Sequence, residues 1–249
     1  MIPLKDENPA SRKAVVTWGL ILANLAVFIY MLTLSGAALE SFVYRFSVIP
    51  WEISKGSQLP HGTLYQLLGT TQALPAKNVY LSLLTCVFLH SGWLHIGFNM
   101  LFLAIFGNNV EDAMGHLPFL AFYLVCGIAA SLAQTAVNTN SVTPTVGASG
   151  AIAGVMGAYL VLYPRARILT LVLVFVVYVP AWAFIGIWVA YQLLSATESI
   201  SGVTGGVAWF AHLGGIAAGT GLTLMAYPLL RRRTNSRLAE GRRGGGPVG

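Results

Sequence analysis

Six long apolar segments constrain the fold of this 249-residue chain more than any other feature. Hydrophobic residues make up 56% of the sequence and charged residues only 9%, whereas a soluble domain carries about 25% charged residues. A segment inside hydrocarbon must satisfy its backbone hydrogen bonds internally, which favours helices. The sequence therefore predicts an all-α polytopic membrane protein, integral to the lipid bilayer. Its domain over residues 14–230 is expected to contain six transmembrane helices: Ala14–Leu34, Trp93–Val110, Leu117–Val137, Ser149–Tyr163, Ile168–Leu194 and Val207–Leu230.

The segments outside these six are polar or amphipathic. Residues 1–13 are polar and are expected to form a cytoplasmic segment. The long loop over residues 35–92 contains two amphipathic stretches, Phe42–Trp51 and Val79–Leu89, which predict interfacial or re-entrant helices. Residues 231–249 are basic and end in a glycine-rich run, so we expect a disordered cytoplasmic tail.

The distribution of Lys and Arg predicts the orientation in the membrane. Eleven of the 14 Lys and Arg residues fall in segments on the same side of the membrane as the N-terminus. The other three fall on the opposite side: Arg45, Lys55 and Lys77. Because basic residues are retained in the cytoplasm, both termini are expected there. The host membrane is expected to be a bacterial cytoplasmic (inner) membrane. The net charge of +6 therefore reflects membrane topology, and no nucleic-acid partner is expected.

Polar side chains on three different spans are expected at one depth. The second, fourth and sixth spans run in the same direction, so their N-terminal ends share the outer face. His95 and Asn99 lie near the start of the second span, Ser149 starts the fourth and His212 lies early in the sixth. Since intramembrane polar groups usually serve a function, Ser149 and His212 suggest a nucleophile and its base. The outer parts of these spans carry no acidic residue, which predicts a Ser-His dyad.

Small residues at four-residue spacing allow the two reactive spans to approach closely. The fourth span carries Gly150 and Gly154, and the sixth carries Ala211, Gly215 and Gly219. Such residues let helix backbones pack tightly in lipid. If the two spans did not carry Ser149 and His212 at their outer ends, these small residues would indicate only close helix packing.

An oxyanion site is expected beside the serine. Gly147 and Gly150 flank Ser149 and would give a substrate carbonyl access to it. The Ser149 amide, at a helix start, is a donor without an intrahelical partner. His95 and Asn99 share one helical face and could donate to the same oxygen.

Each of these residues also has a plainer explanation. A serine at a helix start is commonly an N-cap, and a His–Asn pair commonly forms an interhelical hydrogen bond. His90, His95 and His212 could supply three imidazoles to a metal, but their spacing matches no standard motif, so neither a metal nor another cofactor is expected. The two cysteines, Cys86 and Cys126, are interpreted as small buried hydrophobes.

The residues from about Leu81 to Tyr227 resemble the rhomboid intramembrane serine proteases. Four motifs carry the resemblance: Gly147-Ala148-Ser149-Gly150, His90 with His95-x-x-x-Asn99, Ala211-His212-Leu213-Gly214-Gly215, and Gly107-x-x-x-Glu111-x-x-x-Gly115. The resemblance implies a six-helix bundle with Ser149 and His212 as the catalytic dyad. It also implies that His95, Asn99 and the Ser149 amide form the oxyanion hole. Substrates would be single-span membrane proteins cut in or near the transmembrane segment.

The resemblance further implies structural roles for Glu111, at the inner end of the second span, and for His90 in the preceding loop. Two positions depart from the family pattern. Trp51-Glu52 is the nearest match to the Trp-Arg pair of the first loop, and Ala153 stands where some members carry an aromatic that packs on the histidine. A pseudoprotease would be expected to lack Ser149 or His212, and a transporter would show internal repeats. Nothing in the sequence predicts the oligomeric state.

Overall fold

The computed structural model describes residues 1–8, 10–60, 62, 76–200 and 208–244 of the chain. Within them the protein is mostly helical, with a small three-stranded sheet. The elements follow in the order β1 (Ile2–Asp6), α1 (Val15–Thr33), α2 (Gly36–Phe46), α3 (Pro50–Lys55), α4 (Ser82–Thr85), a 3-10 turn (Cys86–Phe88), α5 (Trp93–Met114), α6 (His116–Val137), α7 (Ser149–Leu162), β2 (Arg167–Val172), β3 (Phe175–Pro180), α8 (Ala181–Ile200) and α9 (Trp209–Gly244).

Three helices of the described part are long and apolar enough to cross a membrane on their own, namely Val15–Thr33, His116–Val137 and Trp209–Leu230. A fourth candidate is the pair Ser82–Phe88 and Trp93–Met114, which is bent by 97°. The helices Ser149–Leu162 and Ala181–Thr197 are apolar but shorter. The polytopic helical class is thus confirmed, and the count of six spans stays a prediction.

The long helices run in alternating directions. Where α1 ends and α5 begins, the rings of Phe28 and Trp93 lie 5.1 Å apart. At the opposite end, Glu111 near the end of α5 accepts hydrogen bonds from the first turn of α1. Helices α5, α7 and α9 run parallel to one another, so their N-terminal ends share one end of the bundle, which is called the Ser149 end below.

Helix α7 lies at the centre of the bundle, and glycines bring α9 against it. A Cβ atom added at Gly215 would lie 2.0 Å from the carbonyl oxygen of Gly150. One at Gly219 would lie 2.1 Å from the carbonyl oxygen of Gly154. Since no side chain fits at either place, the two backbones are in direct contact, which agrees with the close approach expected from the small residues.

The predicted fifth span, Ile168–Leu194, is wrong in its first half. Residues 167–180 form the antiparallel hairpin β2–β3, and α8 begins only at Ala181. Branched residues dominate the hairpin, which suits strands: Ile168, Thr170, Val172, Val174, Val176, Val177 and Val179. Because a continuous apolar run has no clear period, its pattern alone does not separate strand from helix.

Pro180 marks the end of this hairpin. The Ala181 amide donates to the Ala166 carbonyl at 2.8 Å. Bonded and non-bonded pairs alternate along an antiparallel ladder, so the preceding pair, Arg167 and Pro180, is a non-bonded one. The missing N–H of Pro180 therefore costs the sheet no hydrogen bond.

The N-terminal segment, expected to be merely polar, forms strand β1 along the edge of β2. Its last residue, Asp6, is buried between two helices. Asn109 of α5 and Tyr159 of α7 both donate hydrogen bonds to Asp6 Oδ2, at 2.6 and 2.8 Å. Burial raises the pKa of Asp6, and these hydrogen bonds offset only part of the shift.

The two amphipathic stretches of the long loop fold into short helices in the described part. The first is divided between α2 and α3, and the second contains α4 and the 3-10 turn; residues 61 and 63–75 lie outside the described residues. A buried ion pair fixes this loop, because Lys77 Nζ lies 2.6 Å from Glu52 Oε2. Tyr44 and the Leu59 amide donate to Glu52 Oε1 at 2.9 and 3.1 Å. Burial lowers the pKa of Lys77, although Glu52 acts in the opposite direction.

Composition predicts a disordered basic tail over residues 231–249, and helix α9 enters this segment. Helix α9 continues as far as Gly244, while residues 245–249 lie outside the described residues. Arg, Leu, Ala and Glu between Arg231 and Glu240 are good helix formers, so an existing helix can propagate through them.

Candidate active site

Ser149 and His212 meet at the Ser149 end of the bundle. Ser149 is the first residue of α7, and His212 lies in the first turn of α9. Their side chains form a hydrogen bond of 2.7 Å between Ser149 Oγ and His212 Nε2. The contact between the two helix backbones makes this possible, because a short serine side chain reaches only a histidine on an adjacent helix.

Three further side chains, none of them singled out from the sequence, surround the His212 ring. Gln192 of α8 lies with its Oε1 2.7 Å from His212 Nδ1. The rings of Trp188 and Trp209 lie with their centroids 5.7 and 6.2 Å from that of His212. Trp188 and Trp209 supply the aromatic packing that Ala153, itself fully buried, cannot provide.

His95 and Asn99 lie on the wall of the same cavity. His95 Nδ1 is 3.0 Å from Ser91 Oγ, and Asn99 Nδ2 donates to the His95 carbonyl at 2.8 Å. Gly147 has φ +123°, a backbone conformation that favours glycine, and a Cβ there would lie 2.7 Å from His95 Nε2. His95 Nε2 therefore lies directly against the turn that leads into Ser149.

The cavity has a volume of about 790 Å³ and is lined mainly by apolar side chains. Phe98 and Phe102 of α5 face it from one side, and Ile187 and Tyr191 of α8 from another. Phe184 of α8 also lines the cavity, with its ring 6.1 Å from that of Phe102. A cavity of this size, apolar but with a few polar groups, is typical of a binding site.

The remaining predicted site residues lie around this centre or far from it. The ring of His90 packs edge-on against His95 with centroids 5.0 Å apart. Gly150 contacts Ala130 of α6, since an added Cβ would lie 2.5 Å from the Ala130 Cβ. Glu111 lies at the other end of α5, where it accepts hydrogen bonds from the amides of Val16 and Thr17 at 2.9 and 2.7 Å.

Glu111 therefore caps the start of α1, where helix amides lack partners and a negative charge is favourable. Both cysteines are buried free thiols. Among the described residues, no three His, Cys, Asp or Glu side chains converge as ligands for a metal ion.

Ser149 and His212 are hydrogen-bonded inside an apolar cavity. The cavity lies in a polytopic helical bundle, so the candidate site belongs to a membrane protein. Residues 77–229 match the family model described as the Rhomboid domain. This match covers more than half of the chain, so the chain belongs to the rhomboid family.

Several curated proteins are similar to this chain. "Rhomboid protein 1, mitochondrial" of Saccharomyces cerevisiae is 35% identical over 150 residues, which are 56% of this chain and 40% of that protein. "RHOMBOID-like protein 4" of Arabidopsis thaliana is 28% identical over 232 residues, 85% of this chain and 52% of that protein. "Rhomboid protease GluP" of Bacillus subtilis is 39% identical over 109 residues, 44% of this chain and 21% of that protein. The chain spans about half or less of the length of the first relatives it matches.

Proposed function

We propose that this protein is an intramembrane serine endopeptidase that cleaves transmembrane segments of single-span membrane proteins. Ser149 is the nucleophile and His212 is its base. The observation that carries the proposal is the 2.7 Å hydrogen bond between Ser149 Oγ and His212 Nε2 inside an apolar cavity. Membership of the rhomboid family, with a relative named as a protease, supports the same reaction class.

The pair can perform acyl transfer in two steps. As Ser149 Oγ bonds to the scissile carbonyl carbon, its proton passes to His212 Nε2. The proton then passes to the leaving amine as the peptide C–N bond breaks, which leaves an acyl-enzyme. In the second step His212 Nε2 takes a proton from water as the water oxygen attacks the ester. The proton then passes to Ser149 Oγ as the ester C–O bond breaks, which releases the new carboxyl end and restores the pair.

Three donors are available for the negative oxygen that forms during attack. They are the Ser149 amide at the start of α7, His95 Nε2 and Asn99 Nδ2. The position of His95 beside Gly147 supports its role, because that turn is where a substrate carbonyl must approach Ser149. Donors aimed at this oxygen stabilise the transition state more than the ground state.

The apolar walls of the cavity support an apolar peptide as the substrate. A regular helix shields its carbonyl groups with internal hydrogen bonds, so the substrate must unwind locally before Ser149 can reach one. We therefore propose that substrates carry small or helix-breaking residues near the cleavage site. Because Phe98 and Phe102 of α5 and Ile187 and Tyr191 of α8 face the cavity, we propose that the substrate enters laterally from the bilayer between these two helices.

The host membrane and the orientation belong to the same proposal. The eleven-to-three bias of basic residues supports an orientation with both termini in the cytoplasm. We propose a bacterial cytoplasmic membrane, in which Ser149 and His212 face the outer half of the bilayer.

The proposal is tested by mixing the purified protein in liposomes with a single-span substrate and measuring cleavage. Ser149→Ala and His212→Ala should each abolish cleavage in a folded, inserted protein, because nucleophile and base act as a unit. A fluorophosphonate should label the wild type but not Ser149→Ala, and a chelator should leave activity unchanged. Substantial proteolysis by either variant would contradict the dyad.

A further inference from the structure

Gln192 is a polar residue in an apolar helix, and its side chain is buried against His212. It lies on α8 with 3% of its surface exposed. Its Oε1 is 2.7 Å from His212 Nδ1, on the opposite side of the ring from Ser149. A buried amide costs free energy unless it is hydrogen-bonded, so this contact accounts for its place in the helix.

We infer that Gln192 is a positioning residue that holds His212 in the tautomer needed by a base; this rests on the proposed function. An amide oxygen can only accept, so the shared proton sits on His212 Nδ1. Nε2 is then unprotonated and faces the Ser149 hydroxyl, which donates to it. After Nε2 takes the serine proton, the Nδ1–H remains bonded to Gln192 Oε1, and Nε2 returns its proton to the leaving amine.

The same helix orients the His212 ring in a second way. Trp188 lies one turn before Gln192 on α8, and its ring packs against the imidazole. Ile187 and Tyr191 of the same helix face the substrate cavity. The helix that forms one wall of the cavity therefore also sets the tautomer and the orientation of the base.

The tautomer itself can be measured without any cleavage assay. The full chain is labelled with ¹⁵N-histidine in lipid, and the His212 signals among the five histidines are assigned by their loss in His212→Asn. At a pH where the ring is neutral, the wild type and Ser149→Ala should both show a protonated Nδ1. Gln192→Leu and Gln192→Met, which lack a strong acceptor, should show a mixture of the two tautomers. Retention of the wild-type tautomer by a folded Leu or Met variant overturns the inference.

Kinetics give the second readout. Gln192→Leu should lower kcat by about 10²-fold, at the lower end of the contribution of a positioned general base, with little change in KM. Gln192→Glu keeps an acceptor oxygen at the same reach and should recover most of that loss. Leu194→Ala on the same helix, at an exposed position, is the matched control and should retain wild-type kcat.

The possible outcomes separate this inference from the proposed function. A lower kcat with an unchanged tautomer would mean that Gln192 only packs, and an altered tautomer with unchanged kcat would mean that it does not assist the base. A wild-type protein that shows the Nδ1–H tautomer but cleaves no substrate would refute the proposed function while leaving the Gln192–His212 contact intact.

Discussion

At the scale of single residues, His95 and Asn99 offer the sharpest separation between catalysis and packing. We expect His95→Ala or Asn99→Ala to lower kcat by roughly 10²–10³, or about 2.7–4 kcal/mol, as removal of one oxyanion donor does elsewhere. KM should change little, because the negative charge exists only during attack. Steady-state kinetics on both variants checks this.

The same two residues also have a packing role that can be distinguished. Asn99 bonds to the His95 carbonyl in its own helix, a contact that His95→Ala leaves in place. If both side chains donate to the same oxygen, the double variant should cost less than the sum of the single ones. A loss confined to KM would assign both residues to the packing interface. Gly97→Ala is the matched control on α5, since an added Cβ there meets no atom within 4 Å.

The sequence indicates the reacting residues better than the residues that support them. Ser149 and His212 are visible because a serine between glycines and a histidine in an apolar span are unusual. Gln192 carries the same kind of signal, a lone amide in an apolar helix, but it lies 20 positions from its partner, and no local motif joins them. Trp188 gives no such signal, because aromatic residues are common in membrane helices.

At the scale of secondary-structure elements, the direct backbone contact between α7 and α9 can be tested by a matched pair of glycine substitutions. We expect Gly215→Ala to destabilise the protein by about 3 kcal/mol, the upper end of the usual cost of overpacking, since its Cβ would overlap the Gly150 backbone, which cannot give way as a flexible side chain can. Gly221→Ala on the same helix meets no atom within 4 Å and should be neutral or stabilising by up to about 1 kcal/mol. Thermal unfolding in detergent measures both, and equal stability of the two variants would contradict direct backbone contact.

Strand β1 adds a pH dependence at the other end of the bundle. Because the pKa of Asp6 is raised in the folded protein, the folded state binds this proton more tightly than the unfolded state does. The free energy of unfolding therefore rises as the pH falls through the pKa that Asp6 has in the folded protein. At pH values above that pKa, the cost of burying the charged carboxylate is fully present. The wild type should thus gain stability relative to Asp6→Asn as the pH falls through the raised pKa that Asp6 has in the folded protein.

Tyr159→Phe is the companion variant for that measurement. Its hydroxyl donates to Asp6 and favours the charged form, so its removal should raise the pKa of Asp6 further. The dependence of stability on pH should then begin at higher pH than in the wild type. If the stability difference between the wild type and Asp6→Asn does not vary with pH, Asp6 is excluded as the source of the pH dependence.

At the scale of the whole molecule, charge and apolar pattern predict most of the architecture. Alternating helix direction brings Ser149, His212, His95 and Asn99 to one end, as the sequence analysis expected. The hairpin β2–β3 lies in a continuous apolar run that has no clear period. Strand β1 pairs with a segment far along the chain, since Ile2 pairs with Leu171. Such a contact leaves no periodic signal in either segment.

The orientation of the bundle in the membrane is the remaining prediction at this scale. Exposed positions at the two ends can each be changed to cysteine without removing a basic residue: Glu7 precedes α1, and Asn140 lies between α6 and α7, at the Ser149 end. The native cysteines are buried, so the background labelling should be low. We expect a membrane-impermeant thiol reagent to label Asn140→Cys in intact cells, and Glu7→Cys only after permeabilisation, because the basic residues hold the N-terminal side in the cytoplasm. The reverse pattern would place Ser149 in the cytoplasmic half of the bilayer and overturn the assignment of the outer half to the active site.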